Sequence, residues 1–418
     1  MSAETLITLG SGNEAIAELY RDLHTHPELS YEETRTAHIV TESLRGLGYE
    51  VHTGLGRTGV VGVLRRGAGP TVLLRADMDG LPVTEATGLP YASTARGVDP
   101  DGHEVGVMHA CGHDVHVSCL LGAARTLAAD ESWSGTLIAL FQPAEELGTG
   151  AKAMVDDGLY DLVGTPDVVL GQHVAPLPAG IIALHPGAAF ATSDSLKVTL
   201  YGKGGHGSRP EACIDPIVMA AAIVLRLQTI VSREVAGGEI AVITVGTLHA
   251  GTKVNIIPDT AELELNIRTY DPDVRERVLA AVERIVTAEA AASGAEKMPK
   301  IEHPDHFPLL YNDPDGCART IPALAGVVGS PQRVIDSGPV TGSEDVGELA
   351  KAAGAPCVYW ILGGADPAAF AGAASPDAML KVMAGIPSNH SPGYAPVIEP
   401  TLSIGVGALV AAAKEWLG

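Results

Sequence analysis

No apolar run of about 18 residues occurs in the chain, so a membrane-spanning helix is not expected. Met1 to Gly12 lacks a basic stretch leading into an apolar core, so no secretory signal is expected either. Cysteine is scarce and odd in number. The five residues Cys111, Cys119, Cys213, Cys317 and Cys357 are too scattered for a disulfide framework. Positive charge is in deficit: 27 Lys+Arg against 50 Asp+Glu leave a formal net charge of −23. That balance excludes the basic footprint needed to bind nucleic acid or an anionic membrane. What remains, 46% apolar and 18% charged residues over 418 positions, suits a soluble cytoplasmic enzyme of two or three domains.

Hydrophobic patterning divides the chain. Two helical patterns occupy residues 13–47, strands are expected at Val60–Leu64 and Pro70–Ala76, and a helix runs from about Asp114 to Ala129. Continuous apolar strands follow at Thr136–Gln142 and Asp167–Gly171, with a helix at Ala151–Gly158 between them. Such alternation predicts an α/β layer with a mostly parallel, buried sheet flanked by helices. The middle of the chain changes character. Ser195–Tyr201, Ala241–Leu248, Ala261–Tyr270 and Met298–His303 read as strands, with long helices at Asp215–Glu234 and Pro272–Ala292. The order β-α-β-β-α-β predicts a ferredoxin-like α+β unit. Strand or helix patterns return at Gly316–Gly326, Cys357–Leu362 and Pro400–Leu417. The expected organisation is a discontinuous catalytic domain, 1–189 and 309–418, interrupted by an insertion at 190–308. Ala365–Ala374 reads as a mobile loop of small residues.

The richest stretch chemically is His109-Ala110-Cys111-Gly112-His113-Asp114, where a thiol and an imidazole lie two positions apart. Both are good ligands for borderline metals. Asp77/Asp79, Glu145/Glu146 and His173 each follow an expected apolar strand, and open α/β sheets bind ligands beyond the carboxyl ends of their strands. His390 lies in a Pro-rich loop before the last helix. Cys111, His113, Glu146, His173 and His390 are too many for one tetrahedral ion and suit two ions that share a bridging ligand, which could be the thiolate, Glu146 or a water. With one glutamate ligating, its neighbour could carry protons to and from a metal-activated water. His109 and His116 read as structural or supporting residues. His24, His26 and the remaining histidines have no supporting constellation. Gly202–Pro210 is glycine-rich but lacks the order of a nucleotide loop, so its glycines are expected to swing His206 towards a ligand. Arg268 is a natural carboxylate clamp, with a strand-face ion pair as its ordinary alternative.

Taken together, the segments Leu23–Glu28, Arg75–Pro82, His109–His116, Phe141–Glu146, Gly205–Ser208, Gly342–Asp345 and Asn389–Pro392 resemble, in order, the M20 metallopeptidase family. The resemblance spans nearly the whole chain and is to its amidohydrolase branch of hippurate, auxin-conjugate and N-acyl-amino-acid hydrolases. It implies a di-metal ligand set of Cys111, His113, Glu146, His173 and His390, with Glu145 as general base. It further implies Asp79 as an orienting aspartate, and a smaller domain that mediates dimerisation. His206 would reach the partner's site to stabilise the oxyanion, and Asn255 and Arg268 would bind the substrate carboxylate. Gly80 stands where the family usually has alanine, and Leu147-Gly148-Thr149-Gly150 replaces a glycine-rich run.

The function expected is hydrolysis of N-acyl amino acids by a water activated at two divalent ions, zinc first, with Mn, Co or Ni as alternatives. A homodimer, or a tetramer, is expected. A metallo-dipeptidase or carboxypeptidase of the same fold is the enzymatic alternative. A thiol hydrolase using Cys111 and a non-catalytic binding homologue are the others.

Overall fold

A computed structural model describes residues 12–99, 102–373 and 375–417. These form two compact units. The first comprises the described residues up to Gly187, Tyr311–Gly338 and those from Asp345 onward; the second comprises Ala188–Leu310 with Pro339–Glu344. The expected insertion was 190–308. The short return of 339–344 to the second unit has no hydrophobic period to announce it.

The first unit is built on an eight-stranded sheet. Its order is Glu50–Leu55, Gly59–Arg66, Gly135–Gln142, Thr71–Asp77, Val168–Pro178, Cys357–Ala365, Ile182–Ala183 and Val334–Ile335. The four longest-buried strands, from Gly135–Gln142 through Cys357–Ala365, are mutually parallel. Gly59–Arg66 joins them antiparallel on one side and Ile182–Ala183 on the other. In Thr71–Asp77 every residue after the first is buried, which explains an apolar run without alternation. Leu74, Phe141, Leu170 and Trp360 from the sheet share a core with Leu19 of helix Asn13–Thr25, Val117 of helix His113–Ala129 and Leu409 of helix Ile398–Leu417.

The second unit carries a four-stranded antiparallel sheet in the order Ala241–Ala250, Thr260–Thr269, Thr192–Tyr201 and Lys300–Phe307. With helices Pro216–Arg233 and Pro272–Ala292 between strands in sequence, that is the ferredoxin-like arrangement. Its strands alternate buried and accessible positions, since one face packs the helices. Both helices open on an Asp-Pro pair. The Asp215 carboxylate accepts the N–H groups of Ile217 and Val218, and Asp271 those of Asp273 and Val274, while the proline occupies the first helical position, where no N–H is needed. Pro216–Arg233 is also long and apolar enough to cross a membrane by composition, contrary to the expectation that no such segment exists. Here one face of it, with Met219, Ile223 and Leu227, is buried in the core of its unit.

Several expectations need correction. The edge strand Glu50–Leu55 and the helices Val346–Ala353 and Pro376–Met383 were not foreseen, because short or exposed elements carry weak periodicity. The last strand of the second unit is Lys300–Phe307 rather than Met298–His303. The segment read as a mobile loop, Ala365–Ala374, contains a short 3-10 turn, Pro367–Phe370, capped by Asp366; Ala374 lies outside the described residues. His24, read as having no constellation, is buried and ion-paired. Its Nδ1 lies 2.7 Å from Asp114 and its Nε2 3.1 Å from Glu85. Tyr20 and Tyr91 pack against the ring.

Burial opposes the charge on His24, but its hydrogen bonds to Asp114 and Glu85 outweigh it and raise the imidazole from 6.5 to about 10. Asp114 and Glu85 are both held below their ordinary values, against burial, by the hydrogen bond to His24. The histidine therefore stabilises the fold fully below its unfolded value of 6.5, and that stabilisation is lost as pH rises towards 10. The two carboxylates contribute above their unfolded values and lose that contribution as pH falls. Denaturant titrations of the native chain and His24→Gln should differ by about 3–5 kcal/mol near pH 6, with the gap narrowing steadily up to pH ~10. A gap independent of pH would show that the pair is not ionised.

Candidate metal centre

The turn before helix His113–Ala129 is a tight one. Gly112 adopts φ 86°, and a Cβ there would lie 2.4 Å from Val174 Cγ1, so only glycine lets the turn lie against the strand Val168–Pro178. Across the turn, Asn389 Nδ2 donates to the carbonyls of Cys111 (3.0 Å) and Val174 (3.1 Å), and His390 N donates to Ala110 O (2.8 Å). Those bonds hold the loop that carries His390, itself in the left-handed region at φ 68°.

On the other side, strand Gly135–Gln142 ends in Pro143 and Ala144, and Glu145–Leu147 form a 3-10 turn. Ala144 is left-handed at φ 47°. Its N–H donates to the buried carboxylate of Glu33 at 2.9 Å, and Gly150 N donates to its carbonyl. A Cβ on Gly150 would lie 1.6 Å from Pro143 O, so this glycine is required by the close approach of the two backbones. Burial, followed by the charge of Asp79, pushes the Glu33 carboxyl up to about 7.

Asp79 joins both sides. One carboxylate oxygen lies 3.2 Å from His113 Nδ1 and accepts Glu145 N–H at 3.2 Å; the other accepts Glu146 N–H (3.1 Å) and Ser30 Oγ–H (2.7 Å). Behind it, Arg75 is completely buried between Asp77 (2.7 Å) and Asp345 (3.2 Å) and also donates to Gln142. His116 has both nitrogens engaged: Nδ1 with Asp77, and Nε2 as acceptor of Val174 N–H. These contacts tie the ring to two sheet strands beside His113. His109 is buried with neither ring nitrogen hydrogen-bonded, and burial lowers it to about 4, so it sits there neutral.

The five expected ligands converge. Cys111, His113 and His173 bring one donor atom each within 4.8 Å of one another, and so do Cys111, Glu146 and His390. Cys111 is common to both groups. His173 lies within strand Val168–Pro178 rather than after it, since that strand runs on past the expected Gly171. Its Nδ1 is 2.8 Å from Val174 O, and its Nε2 is 3.4 Å from Cys111 Sγ. His390 Nε2 is 3.4 Å from Glu146. His113, Glu145 and Glu146 form a third such group, with Glu145 3.7 Å from His113 Nε2.

A cation fits this set. His113 Nε2 and Glu146 Oε1 are buried without a hydrogen-bond partner and lie 3.9 Å apart, a costly arrangement unless something between them is shared. The protonation pattern agrees. Burial, then Glu146, pushes the Cys111 thiol well up; burial pushes Glu146 up to about 8; and Asp77 with Asp79 raises His113 to about 10 against burial. The cluster holds protons that a cation would replace.

In the second unit, His206 and Asn255 share an exposed ribbon, where Gly205–His206 pairs with Ile256–Ile257 and Gly207 N donates to Asn255 O. His206 Nδ1 accepts the N–H of Ser208 at 3.1 Å, which leaves the proton on Nε2. Arg268 is not in a strand-face ion pair. It donates to Asn266 Oδ1 (3.0 Å), Thr341 O (2.6 Å) and Ser343 Oγ (3.1 Å). The roles of Arg75, Asp77 and His24 were missed in the sequence, although each lies within one of the segments that carry the resemblance; Glu33 lies outside all of them.

Residues 73–386 match the family model described as Peptidase family M20/M25/M40. The chain is 39% identical over 354 residues to thermostable carboxypeptidase 1 of Saccharolobus solfataricus, covering 83% of this chain and 85% of that protein. It is 38% identical over 350 residues to the hippurate hydrolase of Campylobacter jejuni, covering 82% and 87%. Among solved structures, it superposes with a TM-score of 0.74 at 27% identity, covering 97% and 98%, on the Bacillus subtilis YXEP protein, a dinuclear metal-binding peptidase of the M20 family. The chain belongs to peptidase family M20 and is a metal-dependent amidohydrolase.

Proposed function

We propose that the substrate is an N-acyl amino acid, cleaved at its amide bond. The observation that carries the reading is the Glu145-Glu146 turn. The carboxylate of Glu146 faces His390 and His113 as a ligand would, while its buried neighbour Glu145 comes as near to His113 without being needed to complete the two groups that contain Cys111. Cys111, His113, Glu146, His173 and His390 would hold two divalent ions, zinc first and Mn, Co or Ni as alternatives, Cys111 being the residue common to both three-donor groups. When bound, the ions acidify a water and polarise the amide carbonyl. Glu145 would take a proton from the water as its oxygen bonds to the amide carbonyl carbon, and would pass that proton to the nitrogen as the C–N bond breaks. Asp79 fixes the ring of His113 and the backbone of both glutamates. His206 presents Nε2–H to the developing oxyanion, and Asn255 and Arg268 receive the substrate carboxylate.

A homodimer is part of the reading, with His206 serving the second copy. Support comes from exposed apolar residues of the second unit, Val218 (65%) and Leu225 (74%) of one helix and Leu248 on the helix-covered face of the edge strand Ala241–Ala250. Leu225→Glu with Leu248→Lys should convert the dimer to monomer in light scattering and lower activity with it. Unchanged mass would remove this surface from the interface.

Glu145→Gln should lower kcat by about 10²–10⁴-fold while metal content stays at the native level. Activity within a few-fold of native would remove Glu145 from proton transfer. Chelation should abolish activity and added divalent metal restore it; activity that survives chelation would favour a Cys111 thiol hydrolase instead. The carboxypeptidase relative keeps a peptidase as the second reading, and parallel assays on an N-acetyl amino acid and a free-amine dipeptide separate the two.

A further inference from the structure

A cleft of about 590 Å³ opens beside Glu146, within the size range of small-molecule sites. Its walls are aliphatic: Leu29, Leu81, Pro82, Val98 and Leu147. Val98 is 59% and Leu147 43% exposed, so two apolar side chains face water at a place that adjoins a candidate metal ligand. The charged side chains that line it, besides Glu146, are Glu32 and Asp99, and no Lys or Arg is among the described lining residues. Asp99 is already engaged, accepting His103 N–H at 2.8 Å.

We infer that this cleft is the acyl-group pocket and that it selects uncharged, apolar acyl chains larger than acetyl. The inference rests on the amide-hydrolysis reading above. A substrate amide has two sides, and the cleft can receive only one of them. A carboxylate lying along the cleft would be repelled by Glu32 and Asp99, with no Lys or Arg among the described lining residues to receive it, so the amino-acid half lies elsewhere. A free ammonium would find a solvated Glu32, an Asp99 already bonded to its own loop, and a Glu146 that the reading above assigns to the metal. An alkyl or aryl acyl group instead covers the exposed aliphatic walls, and the volume far exceeds what a methyl group fills.

The test is a series of N-acetyl, N-octanoyl and N-benzoyl derivatives of one amino acid, with the free-amine dipeptide alongside, on the metal-loaded native enzyme and on Val98→Asp. Each buried methylene is worth about a four-fold gain in binding. We expect kcat/KM to rise at least ~10-fold from acetyl to the two larger acyl groups, and Val98→Asp to remove most of that rise. Val98 is exposed, so the variant should keep the native melting temperature and metal content. Equal rates across the acyl series would overturn the inference while leaving amide hydrolysis standing. So would a Val98→Asp variant that slows all three substrates alike, or none of them. Cleavage of the dipeptide with no N-acyl substrate turned over would overturn both readings.

Discussion

The two oxygens of Asp79 bind three segments distant in sequence: the ring of His113, the backbone of Glu145 and Glu146, and the hydroxyl of Ser30. A ligating histidine must have one nitrogen fixed for the other to be aimed, and a pair of glutamates can divide ligation from proton transfer only if their backbone is held. One buried carboxylate does both. It remains ionised because His113 and Ser30 hydrogen-bond to it, despite burial and the nearby charge of Asp77.

Around that carboxylate the protein concentrates buried charge in paired form. Arg75 sits between Asp77 and Asp345, His116 bridges Asp77 and the backbone of Val174, and His24 is held by Asp114 and Glu85. Each pair is fully enclosed, and removing one partner would leave an uncompensated charge in the core. His113 Nε2 and Glu146 Oε1, which face one another at the candidate metal position, are by contrast buried without partners.

The main elements were legible because their burial is regular. Strands enclosed on both faces, such as Thr71–Asp77 and Gly135–Gln142, show as apolar stretches without alternation (Val72–Leu74, Leu137–Phe141), and the alternation in Thr192–Tyr201 and Thr260–Thr269 marks a sheet covered on one face. The edge strand Glu50–Leu55, with a mostly accessible burial pattern, carries no comparable period. The return of 339–344 to the second unit is a tertiary event with no local pattern behind it. The metal-friendly residues were visible as types at strand ends, but their partners were not. Glu33 is an ordinary helix-start glutamate until its contact with Ala144 is seen.

By itself the sequence determined which residues can ligate or carry protons, and the order of strands and helices that delivers them to one end of a sheet. Chemistry and period are local properties, readable from residue type and spacing. Tertiary structure alone decided that Cys111 stands in both three-donor groups, that Asp79 rather than Asp77 holds His113 Nδ1 and the glutamate turn, and that His116 is spent on Asp77 and Val174. Those outcomes depend on distances of a few ångströms between segments tens to hundreds of residues apart, set by how strands register and how a glycine turn packs against its neighbour.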